Sequence, residues 1–227
     1  PKNYSLENNI DYFHVTSNNT IFGTQIKNFY NGDIPLACDM SSDIFSRKIN
    51  IEDFDLIYAG AQKNMGPAGT TLYICKKEIF GKSSVPIPTM LDLKIHSDKD
   101  SMFNTPPVFP IYASMLNLRW LKRVGGLSYI EEQNEKKSKL IYNQIDNSSL
   151  FLGTANKEDR SSMNVTFTLT NEGLNETFNK MLVEANINGL KGHRSVGGFR
   201  ASMYNAMPFE SVSILVDIMK ELENKKG

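Results

Sequence analysis

One lysine stands in unusual company. Lys63 lies in the run Tyr58-Ala59-Gly60-Ala61-Gln62-Lys63-Asn64-Met65-Gly66-Pro67-Ala68-Gly69, directly after an apolar segment. Small neighbours leave room for something bulky, and an amine held partly out of water loses its proton more readily, so it can attack an aldehyde to form a Schiff base. A solvated loop lysine is the plain alternative. Twenty-four residues upstream, Asp39 ends the apolar run Leu36-Ala37-Cys38, a place where an ionised carboxylate is costly without a partner. Capping a helix would satisfy it. A protonated ring nitrogen would satisfy it too. A lysine for an aldehyde and an acid for a ring nitrogen are the two groups that pyridoxal phosphate takes from a protein.

A second cluster lies near the end of the chain. Lys191, His193, Arg194 and Arg200 crowd ten residues together with Gly192, Gly197 and Gly198. Glycines allow close backbone approach, and a planar guanidinium can hold a carboxylate in two parallel hydrogen bonds. A basic surface turn is the alternative reading. His14 and His96 lack such company and read as structural or surface residues. Met115 and Trp120 read as core.

These residues need a scaffold. Residues 10–15, 34–38, 54–58 and 70–75 read as strands separated by polar connections, and 34–38 and 70–75 are apolar enough to be covered on both faces by helices. That predicts an α/β layer. Residues 81–107, with five glycines and prolines, are too irregular for one element and read as a long functional loop. Helical spacing then starts after Pro107, breaks at Gly125-Gly126 and resumes over 127–145. The last third reads strand (163–169), helix (172–187), glycine-rich turn, strand (199–204) and helix (208–223), with Pro208 in the first turn. This is a small α+β unit.

The bulk numbers bound the function. The 227 residues carry 25 Lys plus Arg against 25 Asp plus Glu, so no global field draws the chain to nucleic acid or an anionic membrane, and any phosphate recognition is local. Cys38 and Cys75 lack metal-ligand spacing and read as reduced core thiols in a reducing compartment, the cytoplasm by default. No metal site is expected. No run approaches the roughly 20 apolar residues of a membrane span, and no signal segment opens the chain. The start at Pro1-Lys2-Asn3, without methionine, reads as a chain cut from something longer.

Four strings, Asp39-Met40-Ser41-Ser42, Ala59 through Gly69, Ser101-Met102-Phe103-Asn104-Thr105-Pro106-Pro107 and Lys191 through Ser202, occur in order and closely resemble the phosphoserine aminotransferase family. Tyr204-Asn205-Ala206-Met207-Pro208 extends the resemblance. It implies an α/β fold, the remainder of a fold-type I pyridoxal-phosphate transferase large domain over residues 1–121, with a small α+β C-terminal domain over 122–227. It implies a homodimer with shared active sites, and amino transfer between L-glutamate and 3-phosphohydroxypyruvate, giving phosphoserine for serine biosynthesis. In many bacteria the family also serves pyridoxine synthesis.

Carried over by position, Lys63 would hold pyridoxal 5'-phosphate and move the substrate proton, and Asp39 would pair with the ring nitrogen. Thr20 would bond the ring's phenolic oxygen. Gln62 would contact the cofactor phosphate, joined by Asn104 and Thr105 from the neighbouring subunit. His193 and Arg194 would bind the substrate phosphate across the dimer, and Arg200 the α-carboxylate. Roughly the first third of such an enzyme has no counterpart here, including its glycine-containing phosphate loop and its ring-stacking aromatic. The alternatives are therefore a non-catalytic remnant, or another fold-type I enzyme such as a desulfurase or glyoxylate aminotransferase. Retention of Lys63, Asp39 and Arg200 speaks against the first, and His193 with Arg194 against the second.

Overall fold

The structure is a computed structural model that describes residues 5–7 and 9–226, the side chain of Lys226 excepted. The opening residues Pro1, Lys2 and Asn3 lie outside the described part. Strands β1 (Phe13–Thr16), β4 (Leu36–Asp39), β5 (Leu56–Gly60) and β6 (Thr71–Cys75) form one sheet in the order β1-β4-β5-β6. The first three are parallel and β6 runs antiparallel on β5. A short hairpin, β2 (Asn18–Asn19) with β3 (Thr24–Gln25), leaves the end of β1.

Register sorts the sheet into two faces. Val15, Cys38, Ile57 and Ile74 fall in one row, with Cys38 and Ile57 almost fully buried, and Phe54 and Leu36 complete the core beneath them. One residue on, the row Thr16, Asp39, Tyr58, Tyr73 turns the other way and is polar. Strand side chains alternate, so a one-residue step moves from core to site. Leu36–Cys38 is covered on both faces, as expected. The expectation for residues 70–75 is corrected: Tyr73 is 50% exposed and Thr71 is exposed, so β6 is a one-sided antiparallel strand rather than a buried one.

Residues 81–107 hold a short helix, α1 (Leu93–Asp98), capped by Asp92, whose side chain accepts from the Lys94 amide. Sequence periodicity over six residues is too short to announce it. Next come α2 (Val108–Arg123) and α3 (Gly126–Asn147). The α2 stripe is only partly core: Leu121 is buried, whereas Tyr112 and Leu116 are exposed. Lys122 and Arg123 in its last turn complement the helix dipole.

The second sheet is antiparallel: β7 (Phe151–Gly153), β8 (Asn164–Leu169) and β9 (Phe199–Ser202). Strand β7, three residues long, was not legible in the sequence. Helices α3, α4 (Asn175–Glu184) and α5 (Phe209–Lys226) supply the other layer. Four rings, Phe151, Phe167, Phe178 and Phe199, form the centre, with neighbouring centroids 5.0–6.4 Å apart. Such edge and offset packing adds about 0.5–1.5 kcal/mol per pair beyond area burial. Arg160 clamps the flank through two bonds to Asp146, at 2.8 and 2.7 Å, and lies 4.4 Å over the Tyr142 ring. Pro208 immediately precedes α5 rather than lying inside it.

Candidate active site

The lysine loop is built by backbone bonds before any ligand is considered. The Ala61 carbonyl accepts from the amides of Lys63 (2.8 Å), Met65 (3.2 Å) and Gly66 (2.7 Å), while the Ala61 amide donates to the Thr70 carbonyl. From α2, Asn117 Nδ2 donates to the carbonyls of Asn64 (2.8 Å) and Met65 (3.0 Å). The loop is thus fixed from both sides. Its small residues have a reason the sequence did not reveal: a Cβ on Gly66 would lie 2.3 Å from Ser114 Oγ, so glycine lets α2 close against the loop. Room for a ligand is not the whole explanation of the small-residue run.

Lys63 is half-buried. Burial lowers its pKa from the ordinary lysine value, the Asp39 carboxylate pulls it back up, and the Arg200 guanidinium lowers it further. Asp39 and Arg200, distant from Lys63 in sequence, are therefore both close enough for their charges to act on it. Asp39 closes β4, and its Oδ1 accepts from the Ser41 amide at 2.8 Å, so it caps the following turn while its charge reaches Lys63. Opposite it in register stands Tyr58, whose phenol is pushed up by burial and then by the Asp39 charge. Tyr58 Oη lies 3.0 Å from His14 Nε2 and the two rings stack. His14 is exposed, as expected, but this bond to Tyr58 was not foreseen.

Arg200 arrives on β9, paired with Thr166 of β8. Its Nη1 donates to the Thr20 carbonyl (3.3 Å), while its Nε is buried and, among the described residues, has no hydrogen-bond partner. A buried guanidinium N–H without an acceptor is costly unless a ligand completes it. Thr20 is held there by a buried polar knot. Asn18 donates to Ser42 Oγ (2.9 Å) and Asn164 Oδ1 (2.8 Å), and accepts from Ser161 Oγ. These bonds tie the β2–β3 hairpin to both sheets. Sequence reasoning passed over the knot, because single polar residues inside loops carry no periodic signal.

Not every expected residue converges. Gln62 is exposed and its amide folds back over Gly60. Asn104 and Thr105 are exposed on the long loop, where Asn104 Nδ2 donates to the Thr105 carbonyl (3.2 Å). Arg194 is exposed as well, and the half-buried His193 forms a turn with Ser195, Nδ1 to Oγ 2.7 Å, under the amides of Val196 and Gly197. The basic cluster read from the sequence is therefore two things: Arg200 beside Lys63, and a separate outward turn bearing His193 and Arg194. That turn requires glycine, since a Cβ on Gly192 would sit 1.9 Å from the Gly197 carbonyl oxygen.

Cys38 and Cys75 are both free, Cys38 buried with its thiol pushed up to about 12 by burial, Cys75 only half-buried rather than core. Among the described residues no helix is long and apolar enough to cross a membrane.

Comparison with known proteins places this arrangement. The aminotransferase class-V sequence profile matches residues 3–215. A phosphoserine aminotransferase from Flavobacterium psychrophilum is 64% identical over 225 residues, which are 99% of this chain and 63% of that protein. The structure of phosphoserine aminotransferase from Bacillus circulans subsp. alkalophilus superposes with a TM-score of 0.94 at 45% identity, covering 98% of this chain and 62% of that one. The structure of pyridoxal-phosphate-bound phosphoserine aminotransferase from Trichomonas vaginalis gives 0.90 at 36%, covering 96% and 62%. The chain thus spans less than two thirds of the length of these relatives. With a profile match across nearly its whole length, the chain belongs to the class-V aminotransferase family.

Proposed function

We propose that the protein containing this chain is a pyridoxal-phosphate-dependent phosphoserine aminotransferase, exchanging an amino group between L-glutamate and 3-phosphohydroxypyruvate in the cytoplasm. The observation that carries the reading is the convergence of Lys63, Asp39 and Arg200, with Arg200 Nε buried and, among the described residues, lacking an acceptor. The residues present fit the cofactor: an amine of lowered proton affinity, an acid within its field, and an arginine with an unused donor. When bound, pyridoxal phosphate supplies an aldehyde and an electron-withdrawing ring.

Each side chain then has a job. The Lys63 amine holds the cofactor and afterwards carries the proton removed from the substrate Cα. Asp39 would hold the ring nitrogen and keep it protonated. The Thr20 hydroxyl would hold the phenolic oxygen, and Gln62 would reach the cofactor phosphate by turning its amide away from Gly60. Arg200 grips the α-carboxylate that every substrate of the reaction carries. Asn104, Thr105, His193 and Arg194 act on the site of a second copy in a homodimer, a reading supported by their outward positions on the long loop and the basic turn. We place the boundary between a large domain, 1–121, and a small one, 122–227, in the last turn of α2, a region that lies between the two apolar cores along the chain.

Single-turnover measurement of the two half-reactions in the complete gene product tests this. Losing a charge-assisted hydrogen bond costs about 1.5–3 kcal/mol, or about one to two decades in kcat/KM. Arg200→Ala should slow both halves by that factor, and Arg194→Ala mainly the phosphorylated half. An Arg194→Ala protein slowed only with glutamate, or not at all, would refute the phosphate assignment.

A further inference from the structure

The segments bearing Asp39, Lys63 and Arg200 come from different elements, yet all three meet at one buried amide cluster. Asn64, next to Lys63, is 5% exposed. Its Nδ2 donates to the Ile44 carbonyl (3.1 Å), in the turn that follows Asp39, and its Oδ1 accepts from the Asn205 amide (3.0 Å), in the turn that follows β9. Asn205, also buried, donates from Nδ2 to the Phe45 carbonyl (2.9 Å) and accepts at Oδ1 from Asn134 Nδ2 (2.9 Å) of α3. Asn134 donates in addition to the Ser46 carbonyl (3.1 Å). One turn along α3, the Lys137 ammonium binds the carbonyls of Tyr204 (3.0 Å) and Met207 (3.1 Å), on either side of Asn205.

We propose that the Asn64–Asn205–Asn134 cluster is a positioning device that sets the Lys63 amine in register with the Arg200 guanidinium and the Asp39 carboxylate. Burial alone does not require these residues, because an apolar side chain of similar size fills the same volume without the cost of desolvating an amide. What an amide adds is direction. The bonds of the cluster hold three successive carbonyls after Asp39, those of Ile44, Phe45 and Ser46, and the Asn205 amide after β9, and both polar ends of Asn64 and Asn205 are satisfied. The αL conformation of Phe45, at φ +59°, is held by the same bonds. Strain of that kind in a non-glycine residue persists where its surroundings over-determine it. None of the three asparagines need touch the ligand; they act through Lys63 and Arg200.

The inference rests on the proposed roles of Lys63 and Arg200, and the test separates the two levels. In the complete gene product loaded with pyridoxal phosphate, Asn205→Ala should retain borohydride-trapped label on Lys63. Its kcat should fall by about tenfold to a hundredfold, the scale of a displacement near 1 Å. The pH titration of the bound cofactor's visible absorbance should shift, because Lys63 changes its distance both to the Asp39 carboxylate that raises its proton affinity and to the Arg200 guanidinium that lowers it. Asn134→Ala, further from the site, should shift both readouts in the same direction by a smaller factor, and it decides the matter if Asn205→Ala does not fold. Loss of thermal stability with unchanged titration and unchanged kcat in the folded fraction would reduce the cluster to packing and overturn the proposal alone. A wild-type protein that takes no label on Lys63 would overturn the proposal together with the reading of the site.

Discussion

Lys137 is 1% exposed, and among the described residues its ammonium forms no ion pair; it donates to the carbonyls of Met203 (3.4 Å), Tyr204 and Met207. Burial pushes its pKa from 10.5 down to about 8. Between those two values the unfolded chain keeps the proton and the folded chain has released it, so stability rises with pH across that window. Below about 8 the penalty for burying the charge is fully present. At 1.36 kcal/mol per pKa unit its relief by pH 10.5 amounts to about 3 kcal/mol as an upper value, reduced to the extent that the three carbonyls favour the charged form. Lys137→Met keeps the reach of the side chain and removes the titration, while leaving the carbonyls short of a donor at about 1–3 kcal/mol. The two terms oppose each other at pH 7, and by pH 10 most of the first has gone. Urea denaturation of both proteins at pH 7, 8, 9 and 10 should therefore show the variant losing ground by about 2–3 kcal/mol across the series. Parallel stability curves, with a constant difference at every pH, would refute the assignment of a strained buried charge.

Two further outcomes follow from the site. Gly192→Ala places a Cβ 1.9 Å from the Gly197 carbonyl oxygen, so the His193–Gly198 turn must rearrange at a cost of about 1–3 kcal/mol, seen as a lowered urea midpoint and loss of the His193–Ser195 bond in a crystal structure. Asp39→Asn should leave the cofactor attached while slowing transamination by between about tenfold and a hundredfold, since the ring nitrogen loses a charge-assisted partner; wild-type turnover would mean that Asp39 only caps the turn at Ser41.

The positions of the proposed cofactor residues were legible because they sit where pattern is strongest. Leu36–Cys38 is apolar without interruption, so the position of Asp39 at a strand end could be read, and Lys63 stood out among small residues after β5. The pattern put Asp39 at one strand end and Lys63 after the next strand, while the pairing of Asp39 with Tyr58 came only from the register. The parts that were not legible depend on contacts between distant segments. Asn18 bonding Asn164, Asn205 bonding Asn64 and Asn117 bonding the lysine loop join residues far apart in the chain, and none has a local signature. Residues 70–75 looked like a buried strand because β-branched and aromatic residues favour strands whether or not both faces are covered, and Tyr73 in the polar row corrected this. The split of the basic cluster into Arg200 and an outward turn was equally hidden, since adjacency in sequence does not tell which way a glycine-rich turn sends its side chains.

Lys63 is the residue on which the proposed cofactor attachment depends. Borohydride reduction of the loaded complete gene product, followed by proteolysis and mass spectrometry of the peptides, tests it directly. Lys63 is predicted to carry the reduced pyridoxyl group at near-unit stoichiometry, with Lys63→Ala abolishing the label and leaving the other lysines unmodified. A label on Lys76, Lys137 or Lys191, or one that persists in Lys63→Ala, would contradict it.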